Sequence, residues 1–153
     1  MDTTWATPKS FFDMLDKEFG FTLDVCALAD TAKCGKYFTP EINGLAQDWS
    51  KDICFMNPPY GRGQDVYSWV KKAYETSEAG GTVVCLLPMS GDTRWFHDFV
   101  LRANEIRFVK DRIWFELNGV GARANHASIV VVFRPYAALS PEISSVPNCR
   151  VKK

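Results

Sequence analysis

Asn57-Pro58-Pro59-Tyr60 sets four residues with distinct chemical uses side by side. The asparagine side chain offers a carbonyl acceptor, each proline removes a backbone donor and fixes φ, and the tyrosine offers an aromatic face. The set suits a planar amine. An exocyclic amine on a nucleobase is a poor nucleophile because its lone pair is delocalised into the ring. Two acceptors, the Asn57 side-chain oxygen and the Pro58 carbonyl, can take its two N–H hydrogens and draw the nitrogen toward a tetrahedral shape, which restores the lone pair for attack on a methyl donor. Tyr60 supplies a surface on which the base can stack. The other reading of these four residues is a tight turn with a buried tyrosine, since Asn-Pro and Pro-Pro are ordinary turn signals.

The surroundings of the tetrad favour a site. Ile53-Cys54-Phe55-Met56 is a short apolar run directly before it and reads as a buried strand, while Gly61, Arg62 and Gly63 follow before an amphipathic segment begins. The tetrad then lies at the carboxyl end of a central strand, where open α/β sheets place their ligands.

The elements that must hold it alternate between strand and helix. Thr7 is the expected N-cap and Pro8 the first residue of a helix in which Phe11, Phe12, Leu15 and Phe19 recur, ended by Gly20. Phe21 to Cys26 reads as a strand, Lys36 to Thr39 as a short second one, and Leu45 to Trp49 as a third candidate after Asn43-Gly44. Beyond the tetrad, Val66, Trp69, Val70, Ala73 and Tyr74 mark a helix stopped by Gly80-Gly81, and Thr82 to Leu87 is the apolar run of a strand inside a parallel sheet. Asp92 or Thr93 caps the next helix, built on Trp95, Phe96, Phe99 and Val100, and Glu105 to Val109 is a further strand. Arg112 to Leu117 and Ser128 to Arg134 are expected to pair with each other across a loop that opens with Asn118-Gly119. Residues 137–153 carry Pro141 and Pro147 without periodicity and are expected to be a peripheral or disordered tail on a catalytic domain of residues 1–136.

Composition narrows the class. The 153 residues are 46% apolar, enough for one domain with a sizeable core, and no apolar run approaches the length of a membrane span. The N-terminus lacks the basic and apolar regions of a signal peptide, so a cytoplasmic location is expected. The five cysteines (Cys26, Cys34, Cys54, Cys85, Cys149) form no C-x-x-C pair and read as reduced residues, and the two histidines, His97 and His126, are too few and too far apart for a metal site; no metal is expected. Net charge is zero but segregated. Residues 1–60 hold 5 basic and 9 acidic residues, net −4, and residues 61–153 hold 13 and 9, net +4. If a polyanion binds, the loops after Tyr60 are the expected surface, with Arg62, Arg94 and Arg123 as its contacts.

Two acidic loops fall beside the tetrad in this order of elements. Asp24 ends the first strand and Asp48 the third candidate, and a carboxylate at either place can bind a ribose hydroxyl, a ligand ammonium or an adenine amine. Their ordinary alternatives are a turn residue for Asp24 and a solvated loop acid for Asp48.

The chain resembles the compact phage DNA adenine-N6 methyltransferase (Dam-like) family. The likeness rests on an ordered set of motifs across residues 5–134: W-x-T-P from Trp5, F-G-F-T-L-D-V-C-A from Phe19, K-C-x-x-Y-F-T from Lys33 and Q-D-W from Gln47. N-P-P-Y-G from Asn57, L-L-P from Leu86, T-R-W-F-H from Thr93 and R-x-x-F-x-x-N-G from Arg112 complete it. The resemblance implies a single-domain α/β, Rossmann-like methyltransferase fold with a mixed, mostly parallel sheet that binds S-adenosylmethionine. By motif, Trp5, Thr7 and Pro8 would lie against the methionine end of that cofactor, Asp24 and Ala27 along its first loop, and Asp48 near its adenine, with Phe38 or Trp49 as the apolar partner. The glycine-rich first loop of many methyltransferases is missing, because Asp24 to Asp30 contains no glycine. The implied activity is methylation of an adenine flipped out of double-stranded DNA and stacked on Tyr60, with Asn57, Pro58 and Pro59 completing the catalytic loop and Phe115 closing the other face. Target reading is expected from loops 61–65, 88–94 or 118–127, in a monomer or homodimer. An RNA base or a protein glutamine amide presents the same planar amine, and an inactive binding protein of the same fold is the reading from another class.

Overall fold

The computed structural model describes residues 6–60, 63–117 and 120–150. Trp5, Arg62 and the Asn118-Gly119 pair, all named in the sequence reading, lie outside them.

Helix α1, Lys9–Phe19, starts one residue later than its sequence signals suggest. Pro8 is its N-cap, and the Pro8 carbonyl accepts from the Phe11 and Phe12 N–H groups, both at 3.1 Å. Thr7 does not cap; its hydroxyl is engaged elsewhere, as described below. The helix stops where expected, with Gly20 in the left-handed region at φ 68° donating to the Asp16 carbonyl.

Strand β1 is only Leu23–Asp24, shorter than the Phe21 to Cys26 expected. Both its residues pair in parallel with β2, Ile53–Met56, through Leu23 with Cys54 and Asp24 with Phe55. The expected second strand contributes a single parallel bridge from Tyr37 to Asp24. The third candidate is no strand: Gly44–Ala46 is a 3₁₀ turn entered through Asn43 at φ 58°, and the Trp49 indole N–H donates 2.9 Å to the Gly44 carbonyl. A tryptophan side chain folded inward onto its own loop consumes the residues an extended strand would need.

Helix α2, Val66–Glu78, is capped by the Asp65 carboxylate, which accepts from the Ser68 N–H, and ends before Gly80, at φ 108°. Strand β3, Thr82–Pro88, follows, then a short helix α3, Arg94–Asp98, capped by the Thr93 hydroxyl. Strand β4 is Glu105–Lys110, β5 Trp114–Leu117, β6 Val120–Arg123, β7 Ser128–Phe133 and β8 Glu142–Pro147.

The main sheet runs β1-β2-β3-β7-β4-β8, and β7 alone is antiparallel to its neighbours. The mixed, mostly parallel α/β sheet expected from the sequence is therefore present. The expected pairing of β5 with β7 is not. β5 pairs with β6 as a separate hairpin, Trp114 opposite Arg123 and Leu117 opposite Val120, while β7 inserts between β3 and β4. Burial explains the choice. Ser-Ile-Val-Val-Val-Phe is buried at every position and needs cover on both faces, whereas β6 is largely exposed and suits a surface ribbon. The tail supplies β8, parallel to β4 over six residues at the sheet edge.

Alternation along the strands divides the core. Cys54 and Met56, Val83, Cys85 and Leu87, and Ile129, Val131 and Phe133 face α2 and α3, together with Val70, Ala73 and Phe96. Phe55, Val84, Leu86, Val130 and Val132 face the opposite way, against Phe11, Phe12 and Leu15 of α1 and Phe115 of the hairpin. Each fully buried aliphatic or aromatic side chain contributes roughly 1.5–3 kcal/mol, so this double cover holds β2 and its carboxyl end firmly in place.

Candidate active site

The carboxyl ends of β1, β2 and β3 lie side by side because all three strands are parallel. Asn57-Pro58-Pro59-Tyr60 leaves the middle one. Pro58 is buried, while Asn57, Pro59 and Tyr60 are half-buried. The Asn57 side-chain amide Nδ2 donates 2.9 Å to the Thr7 hydroxyl, and neither Asn57 Oδ1 nor the Pro58 carbonyl receives a hydrogen bond from any described residue. Both acceptors that a planar amine would need are thus uncommitted within the described residues.

Tyr60 packs against both halves of the core, and burial pushes its hydroxyl pKa above the ordinary range, so the ring is neutral at physiological pH. His126, in the loop between β6 and β7, meets it edge-on with ring centroids 5.1 Å apart and planes at 71°. A cleft of about 290 Å³ opens beside the tyrosine, lined by Tyr60, Gln64, Asp65, Tyr67, Ser90 and Trp95 among others. Its size is near the lower end of small-ligand pockets, roughly 300 Å³. Arg94 is exposed near it, its guanidinium 4.8 Å above the Tyr67 ring. A second cleft of about 560 Å³ lies at the opposite end of the sheet, where β4 and β8 begin and β7 ends. Both its arginines are paired: Arg107 with Glu18 and Glu105, and Arg134 with Glu105, at 2.7 to 2.9 Å. That groove is a structural ion network, far from the tetrad.

The residues expected around a cofactor divide. Asp24, 3% exposed, accepts from the backbone N–H of Lys33 at 3.0 Å and of Cys26 at 3.4 Å, so it folds the following loop onto the end of β1. Desolvation still pushes its carboxyl up to about 6. A buried carboxyl left short of positive charge is the chemistry that a ligand ammonium or hydroxyl would complete, and in this respect the strand ends fit an S-adenosyl donor. Ala27 is buried beside it, its N–H donating 2.9 Å to the Phe38 carbonyl, and the Phe38 ring is half-buried. Trp49 is 1% exposed, stacked 6.0 Å from Trp69 inside the core, so of the two aromatics expected beside an adenine it is Phe38 that keeps open surface. Asp48 is exposed, and hydrogen bonds from the Ser50 side chain and backbone hold its carboxyl below the usual range. Pro8 is half-buried behind Thr7.

The DNA-contact residues divide in the same way. Arg94 and Arg123 are exposed and Arg62 lies outside the described residues. Phe115, expected to close the face opposite Tyr60, is 5% exposed and lies in the core cluster beneath α1, against which Tyr60 also packs; His126 meets Tyr60 edge-on. In sequence, His126 stood out only as one of two histidines too far apart for a metal site, Trp95 read as an apolar position of its helix, and Tyr67 carried no signal. The contacts that bring them together are all non-local.

Fold and site define a mixed α/β protein that presents an Asn-Pro-Pro-Tyr loop with two unclaimed acceptors, among the described residues, at the end of parallel strands. Comparison with known proteins gives the family. The chain matches the family described as DNA N-6-adenine-methyltransferase (Dam) over residues 1–152. It is 36% identical over 140 residues to the DNA N-6-adenine-methyltransferase of Haemophilus phage HP1, covering 87% of this chain and 79% of that protein. It is 32% identical over 117 residues to the Escherichia phage T1 protein of the same description, covering 75% of this chain and 48% of that protein. A third relative, the putative methyltransferase YfdM of Escherichia coli, is 44% identical over 63 residues, 37% of this chain and 69% of that protein. The chain belongs to the DNA N-6-adenine-methyltransferase (Dam) family.

Proposed function

We propose that the protein transfers a methyl group from S-adenosylmethionine to N6 of an adenine flipped out of double-stranded DNA, on a Rossmann-like sheet, with residues 1–136 carrying the catalytic machinery. The observation that carries the reading is the tetrad at the carboxyl end of β2, with both its acceptors left unclaimed by the described residues. Asn57 Oδ1 and the Pro58 carbonyl take the two N6 hydrogens, localise the lone pair and stabilise the positive charge that develops on the nitrogen as its bond to carbon forms. Pro58 and Pro59 hold the loop in one pose, so the acceptors do not reorganise during the transfer. Tyr60 stacks under the flipped base, and His126, edge-on to Tyr60, borders that platform. The cofactor supplies the electrophilic methyl on a sulfonium. Asp24, Ala27, Phe38 and Pro8 lie around the strand ends where it would be held, and the exposed Arg94 and Arg123 are suited to phosphates.

The test is methylation of unmethylated duplex DNA with labelled cofactor, followed by nucleoside analysis. Label in N6-methyladenine is the expected product; label confined to RNA or protein acceptors in parallel incubations overturns the substrate. Asn57→Ala should lower turnover by about 10²-fold or more, the scale of a lost transition-state acceptor, while leaving cofactor binding intact.

A further inference from the structure

We infer that Thr7 is a positioning residue for the transfer, its hydroxyl fixing the Asn57 side chain so that Oδ1 faces the amine. The inference rests on the reading of Asn57 as the amine acceptor. A carboxamide presents one acceptor and two donors, and turned by half a rotation it would set its own N–H groups against those of the substrate. The flip state of Asn57 therefore decides whether the loop binds or repels the amine. One described side chain hydrogen-bonds the carboxamide in this orientation: Thr7 Oγ1, which accepts from Asn57 Nδ2 at 2.9 Å across 50 positions of sequence.

Thr7 is held by elements other than the tetrad. On one side, Ala6 and Glu116 of β5 exchange backbone hydrogen bonds of 2.7 and 3.0 Å. On the other, Pro8 begins α1, anchored in the core by Phe11, Phe12 and Leu15. A threonine at the N-cap ordinarily turns its hydroxyl back onto the helix, but Pro8 holds that position and Thr7 stands one residue before it. Here α1 has no side-chain cap, and the hydroxyl is committed to Asn57 instead. At 2% exposure, water has little access to take over its role. An anchored, buried acceptor aimed at the amide nitrogen leaves the amide oxygen as the group presented outward.

Thr7→Val keeps the shape and removes the acceptor. Its kcat is expected to fall roughly 10-fold to 100-fold, the cost of a misoriented reacting group, with the cofactor Kd from calorimetry and the KM for DNA unchanged. Thr7→Ser, which retains the oxygen, should restore most of the rate. Thermal unfolding checks that each variant is folded, and Thr7→Ala is the second deletion if Thr7→Val is not. Wild-type kcat in the folded deletion variant, a loss explained by weaker cofactor binding, or failure of Thr7→Ser to rescue would each overturn the positioning role. Asn57→Ala separates the two claims. If it remains active, the reading of the tetrad fails and Thr7 with it; if it is inactive while Thr7→Val turns over normally, only the role of Thr7 fails.

Discussion

A carboxyl buried without a full counter-charge holds its proton more tightly than it does in the unfolded chain, and Asp24 is such a group. Its pKa rises from the usual 3.8 to about 6, chiefly through desolvation, against two backbone hydrogen bonds and Lys33 that pull the other way. Because the folded value is the higher one, protonation favours the folded state: the contribution is complete below about pH 4 and is lost as the pH climbs through 6. A shift of this size corresponds to about 3 kcal/mol of unfolding free energy. Denaturant titrations between pH 4 and 7 should show wild-type stability falling by that order relative to Asp24→Asn, which cannot titrate; parallel curves would remove the burial argument. Single residues were also where the sequence spoke most and least clearly. The acceptor loop is four consecutive residues and could be read directly. The partner that orients it is 50 positions away, and no local signal distinguishes a threonine that caps a helix from one that holds an asparagine.

At the scale of elements, legibility followed burial. Helices α1 and α2 and strands β2, β3 and β4 carry strong periodicity or continuous apolar runs, and each forms within a residue or two of its expected span. Elements decided by long-range partners were misread. The apolar runs of β5 and β7 are equally plausible mates by composition, and only competition for the sheet interior separates them. In β8 only Val146 is buried, too little pattern to announce a strand. The strand expected over Leu45 to Trp49 gives way at its start to the turn Gly44–Ala46, whose cause is steric. A Cβ on Gly44 would stand 2.4 Å from the Val25 carbonyl oxygen and 3.3 Å from the Trp69 ring, so the turn seals the end of the core only with glycine there. Gly44→Ala should cost about 1–3 kcal/mol by overpacking, whereas Gly35→Ala, whose Cβ meets nothing within 4 Å, should be neutral or slightly stabilising. Equal unfolding midpoints for the two variants would contradict this account of the turn.

For the molecule as a whole, the zero net charge conceals a division of labour among its cations. Arg107 and Arg134 are spent on Glu18 and Glu105 at the end of the sheet away from the tetrad. Arg94 and Arg123 are exposed, Arg94 over a ring that lines the cleft beside Tyr60 and Arg123 on the hairpin. A duplex docked at the site would then release the counterions around Arg94 and Arg123, and its affinity would depend on salt through them. Each phosphate contact contributes a slope of about −0.9 in log K against log salt, so the Arg94→Ala and Arg123→Ala variants should each flatten the plot by about 1. Arg134→Gln, at the far end, should leave the slope as it is. Fluorescence anisotropy with a labelled duplex over a salt series reads all three slopes directly. A flattening by Arg134→Gln equal to that of the other two would move the DNA to the opposite end of the sheet, away from Asn57 and Tyr60.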